Sequence, residues 1–136
     1  MERLIIPRRL YDRMVEHSRC ESPLEAVGLI GGRPSGEVVE LIALPNASGP
    51  GTFIADPYSQ FRAEKRLKEA GLVVVGVYHS HPGGGAQLSE TDQHFAAKGL
   101  VHVVISFADS HSPDVKVHGY RVTQSAVADV PILVGD

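Results

Sequence analysis

Apolar runs and amphipathic stretches alternate along the 136 residues of this chain, and their periods predict the elements. Leu4, Ile5 and Ile6 form a short β-prone piece. Pro7 opens a stretch in which Leu10, Tyr11, Met14 and Val15 recur at helical spacing, with Arg8, Arg9, Asp12, Arg13 and Glu16 on the other side. That is one solvated and one buried helix face. The helix fades by Cys20, and Pro23 marks the loop after it. Residues 25–32 read as a strand, 33–36 as a turn and 37–44 as its hairpin partner. After a loop at 45–51 and a brief extended piece at 52–54, Asp56 caps a helix whose first residue is Pro57. Ala63, Leu67 and Ala70 are spaced to face a sheet, and Gly71 ends the helix. Residues 72–78 are a continuous, β-branched apolar run of the kind that fills a buried strand. A short helix from about 90 to 98, a second apolar strand at 100–107 and a third strand at Val115–Val122 follow. The tail at 127–134 is apolar enough to return to the sheet or to pair with a second chain. With no repeat, low-complexity tract or linker, residues 1–136 are expected to form a single domain. Its predicted class is α/β (α+β), a mixed central β-sheet flanked by helices.

Composition narrows the function more than the fold. The chain is 43% hydrophobic and 21% charged, with a net charge of -3 and a pI near 6.1. Such a balance points to neither nucleic acid nor an anionic membrane surface as partner. No run of about 20 apolar residues exists to cross a bilayer. Residues 1–7 lack the features of a secretory leader. Cys20 is the single cysteine, so no disulfide can form within the chain, and the expected location is cytoplasmic. Nothing around Cys20 would activate it as a nucleophile.

Candidate chemistry concentrates after the central apolar run, at His79-Ser80-His81-Pro82. Residues i and i+2 of a strand share a face, so His79 and His81 converge while Ser80 points away and reads as a structural hydrogen-bonding residue. Ser89 and Asp92 make a Ser-x-x-Asp helix start, which puts Asp92 in a first turn near that strand end. Two neutral imidazoles and one carboxylate are a suitable ligand set for a catalytic zinc, with the fourth position left for water. Gly83-Gly84-Gly85 lacks the Gly-Lys-Ser/Thr that would make it a phosphate cradle, and reads instead as a loop rimming a cleft. His17, His94, His102, His111 and His118 have no ligand spacing, and His102 reads as a hydrogen-bonded core residue.

His-x-His-Pro, six residues, Ser, two residues and Asp is the pattern of the JAMM (MPN+) metalloproteases, which this chain resembles at His79, His81, Pro82, Ser89 and Asp92. The family's upstream glutamate also has a counterpart, Glu25, in Glu25-Ala26-Val27-Gly28; Val27 stands where cysteine is commoner. The resemblance runs from about residue 5 to about 122. It implies the cytidine-deaminase-like arrangement of MPN domains and one Zn2+ per chain on His79, His81 and Asp92. It also implies that Glu25 serves as the base that moves the water's proton, and that Ser89 adds an oxyanion donor to its role as a cap. The compact length is similar to the stand-alone prokaryotic JAMM proteases. By that likeness the substrate is a small ubiquitin-like or sulfur-carrier protein, cleaved after its C-terminal Gly-Gly. Such a tail would be held through its backbone, by pairing with a strand edge beside the zinc. A homodimer is compatible with the tail. Two other readings are a non-catalytic MPN scaffold, which would lack the ligands that are all present here, and a zinc amidohydrolase acting on a small molecule. The absence of Cys-x-x-Cys after the histidines argues against a deaminase zinc site.

Overall fold

The computed structural model describes residues 2–46, 56–82, 99–107, 114–123 and 126–136. The chain enters through β1 (Leu4–Ile6) and turns into α1 (Arg8–Glu21) at Pro7. Pro7 stands just outside the helix, where its carbonyl accepts from the N–H groups of Leu10 and Tyr11, both at 3.0 Å. Leu10 and Met14 are buried and the basic side of the helix stays in solvent, as the periodicity predicts. β2 (Val27–Gly32) and β3 (Val38–Leu44) form the expected hairpin. Its turn closes at Gly36, whose φ of 99° needs a residue without Cβ. Glu25 and Ala26 lie just before β2 rather than in it.

α2 (Pro57–Glu69) is capped by Asp56, whose carboxylate accepts from Ser59 N–H at 3.1 Å and Ser59 Oγ at 2.7 Å. Ala63 and Leu67 are buried against the sheet. Ala70, expected on the same face, is exposed: the helix ends at Glu69, and Gly71 with φ 75° turns the chain away. Leu67 sits directly over Gly31, where any Cβ would collide with it.

β4 (Val73–His81), β5 (Val101–Phe107), β6 (Val115–Val122) and β7 (Val127–Val130) complete a six-stranded sheet of order β3-β2-β4-β5-β6-β7. β4 and β5 are parallel and the other neighbours antiparallel, so the sheet is mixed. β4 starts one residue later than predicted and runs three further, through both histidines. Those side chains are therefore fixed by strand pairing, not carried on a departing loop. The apolar tail divides at Pro131, which cannot donate to a ladder. Val127–Val130 forms the sheet edge beside β6, and β8 (Ile132–Val134) pairs in parallel with β1. The tail thus returns to its own chain.

A bulge between β2 and β4 sets which way β4 faces. Val74 lies opposite Gly31 and Gly76 opposite Ile30, leaving Val75 as the extra residue. Val75 and Tyr78 consequently join the main core with Leu10, Met14, Ile30, Val103, Ile105 and Phe107 on the α1 side. Val74 and Val77 turn to the α2 side with Val27, Leu29, Leu44 and Ala63. Val104, Tyr120 and Val122 form a smaller cluster. The predicted extended piece at 52–54, the helix near 90–98 and the residues Ser89 and Asp92 lie outside the described residues.

Candidate metal centre

Strand parity builds the site. Beyond the bulge, Val77, His79 and His81 share the α2-side face of β4. Val27 pairs with His79 across β2, and continuing that antiparallel register puts Glu25 opposite His81. On the other side His79 pairs with Val104 and His81 with Ser106. The result is that one ligand atom from each of Glu25, His79 and His81 lies within 4.8 Å of the others. The two imidazoles present Nε2 to Nε2 at 3.2 Å, with ring centroids 5.0 Å apart and planes at 60°. His79 is fully buried, Glu25 is 6% exposed and His81 is half-buried.

This donor set fits a metal ion. Two nitrogens held about 2.05 Å from a tetrahedral zinc stand about 3.3 Å apart, close to the separation seen here. A carboxylate withdrawn from water beside two imidazoles needs a cation or hydrogen bonds to offset its desolvation. Glu25, which composition alone would leave as a surface carboxylate, is instead drawn into the cluster.

The bonds around Glu25 were not evident in the sequence. Asn46, which reads as part of a loop, donates from Nδ2 to the Glu25 carbonyl at 2.9 Å. Ser80, fully buried, accepts the Ala26 N–H on its hydroxyl at 2.8 Å, and its own N–H donates to the Ala26 carbonyl at 3.1 Å. Ser80 is thus the structural hydrogen-bonding residue that parity predicts. Ser106, 4% exposed and in register with His81, was also unmarked by any motif.

The remaining described histidines sit elsewhere. His102 is a buried core residue, as expected, in register with Val77 and Tyr120. His17 lies on the α1 side, with Nδ1 2.7 Å from the Tyr78 hydroxyl and Nε2 3.6 Å from Glu21. Burial pushes the His17 pKa down, partly opposed by Glu21, and pushes the Tyr78 hydroxyl up. A cavity of about 210 Å³ lined by Arg13, Glu16, His17, Leu41, Ala43 and Tyr78 opens on that same side, away from the candidate centre. Cys20 is exposed, and a hydrogen bond to Glu16 raises its thiol pKa, which leaves it a poor nucleophile.

Residues 7–118 match the model of a family described as prokaryotic homologs of the JAB domain. The chain belongs to this family. It is a JAMM-type chain by its relatives as well as by its motif. It is 32% identical over 134 residues to the CysO-cysteine peptidase of Mycobacterium tuberculosis, covering 96% of this chain and 90% of that protein. It is 41% identical over 91 residues to a probable TtuB-protein conjugate cleaving protease of Thermus thermophilus. That match covers 65% of this chain and spans only 60% of the Thermus protein. Among solved structures, a Desulfitobacterium hafniense protein superposes with a TM-score of 0.89 at 29% identity, covering 98% of this chain and 93% of the other. The expected JAB/MPN architecture is the one observed. Among the described strands of this JAB domain, β4 is paired on both sides, and the free edges belong to β3 and β7. No helix among the described residues is long and apolar enough to cross a membrane.

Proposed function

We propose that this JAB-domain chain is a zinc-dependent peptidase or isopeptidase that cleaves conjugates of a small ubiquitin-like or sulfur-carrier protein after a C-terminal Gly-Gly. The observation that carries the proposal is the convergence of Glu25, His79 and His81 on one face of the sheet. Named relatives that cleave TtuB conjugates and CysO-cysteine support the substrate class. When bound, zinc supplies Lewis acidity and a water acidic enough to act near neutral pH. His79 and His81 would hold it through Nε2, with Asp92 as the third ligand and one ion per chain. Glu25, held beside them, takes the proton of the attacking water on a carboxylate oxygen and hands it to the leaving amine. Ser89 donates its hydroxyl to the oxygen that gains charge on the scissile carbonyl. Glycine at the two tail positions lets an extended backbone approach where any Cβ would be excluded.

Elemental analysis of protein purified without added metal, joined to cleavage of carrier-protein conjugates, tests this reading. One zinc per chain, loss of turnover on chelation and its return on zinc addition are expected. Glu25→Gln retains zinc but loses most turnover. Ser89→Ala retains zinc and loses about 10²–10³ in kcat. Zinc held at full occupancy by the His79→Ala, His81→Ala double variant overturns the ligand assignment. Equal rates on Gly-Gly, Ala-Gly and Gly-Ala conjugates overturn the tail specificity.

A further inference from the structure

We propose that Ser80 and Asn46 are positioning residues for Glu25, which act by holding the single peptide group that joins Glu25 to Ala26. The inference rests on the reading of Glu25 as the base. The carbonyl of that peptide belongs to Glu25 and receives Asn46 Nδ2 at 2.9 Å. Its N–H belongs to Ala26 and goes to Ser80 Oγ at 2.8 Å. A peptide group is planar, so gripping its two opposite ends fixes the rotation of the whole plane. The Cα of Glu25 lies at one corner of that plane. Fixing it sets the direction in which the Glu25 side chain leaves the backbone.

The two grips come from opposite directions. Asn46 follows β3 and Ser80 lies in β4, and β2 runs between those strands in the sheet. A regular antiparallel pair would send the Ala26 N–H to a partner carbonyl. Here Ser80 returns its own N–H to Ala26 at 3.1 Å but receives the Ala26 N–H on its side chain. The ladder between β2 and β4 starts only at Val27, so ladder pairing alone does not hold Glu25. Ser80 also stands between His79 and His81. One residue therefore ties the spacing of the two imidazoles to the placement of the carboxylate facing them.

The test compares Ser80→Ala, Ser80→Thr, Asn46→Ala and Asn46→Asp in the zinc-loaded protein and again in a Glu25→Gln background. Ser80→Ala and Asn46→Ala each lower kcat about 10- to 100-fold, the range typical of a misplaced group, with KM and zinc content little changed. Ser80→Thr keeps the hydroxyl and recovers most of the rate. Asn46→Asp keeps the shape but loses the donor, and behaves like Asn46→Ala. In the Glu25→Gln background, single-turnover rates at high enzyme concentration show no further loss, because the carboxylate being aimed is already gone. Amide hydrogen exchange of Ala26, read by NMR on zinc-free protein, speeds up in Ser80→Ala without any appeal to activity. Equal losses in both backgrounds, or unchanged kcat with unchanged Ala26 exchange while Glu25→Gln is inactive, overturn the positioning role. A Glu25→Gln enzyme with normal rates removes the base itself, an outcome distinct from a failure of the grip. Should Ser80→Ala not fold, the two Asn46 variants carry the same comparison.

Discussion

His17 shows how a residue without any motif can still set the behaviour of its surroundings. Its Nδ1 meets the hydroxyl of Tyr78, the residue next to His79, and the Tyr78 ring lies over Gly28, where a Cβ would collide with it. Burial lowers the His17 pKa from its ordinary 6.5. Between the folded and unfolded values the unfolded chain holds the extra proton, so the folded state loses stability as pH falls below about 6.5. The loss is complete once pH is below the folded value. Urea midpoints at pH 8 and pH 5 should therefore differ less for His17→Gln than for the parent protein; an unchanged difference would exonerate His17. In the sequence His17 carries no signal, because its partner is 61 positions away. The pairing of His79 with His81 was legible because strand parity is local; Glu25, far upstream, was marked only by the resemblance to the JAMM pattern. Asn46 and Ser106 were not, since a loop amide and a strand serine gain meaning only from register.

At the scale of elements, periodicity located most of the described helices and strands within a few residues. It missed where β4 ends, because apolar character stops at Tyr78 while hydrogen bonding continues through His81. It missed the bulge at Val75, which no side-chain pattern announces. It also overextended the buried face of α2 to Ala70, since spacing says nothing of where Gly71 turns the chain. Two buried residues seat α2: Ala63, in the core with Val27 and Leu29, and Leu67, 1% exposed and placed over Gly31. Leu67→Ala should cost about 2–5 kcal/mol by chemical denaturation, the range for a deleted buried leucine. A loss under about 1 kcal/mol would show that the helix docks by other contacts.

Across the whole molecule, the mixed sheet separates a large core on the α1 side from a face that carries a smaller core and the candidate centre. A metal ion held there by His79 and His81 would favour the folded state by mass action, by about 2.7 kcal/mol at a hundredfold excess over Kd. Tm should rise with free zinc in the parent protein and stay flat in His79→Ala, His81→Ala; a parallel rise in both would place the ion elsewhere. The pairing of β1 with β8 has a different kind of consequence. Leu4 receives its ladder partner from Ile132, Leu4 N–H goes to the Pro131 carbonyl, and Gly135 N–H returns to the Ile6 carbonyl. Segments about 128 positions apart are thereby zipped into one local opening unit. Amides of Ile6 and Gly135 should exchange with deuterium at a shared rate, and a proline at Leu133 should release protection at both ends of the zipper together.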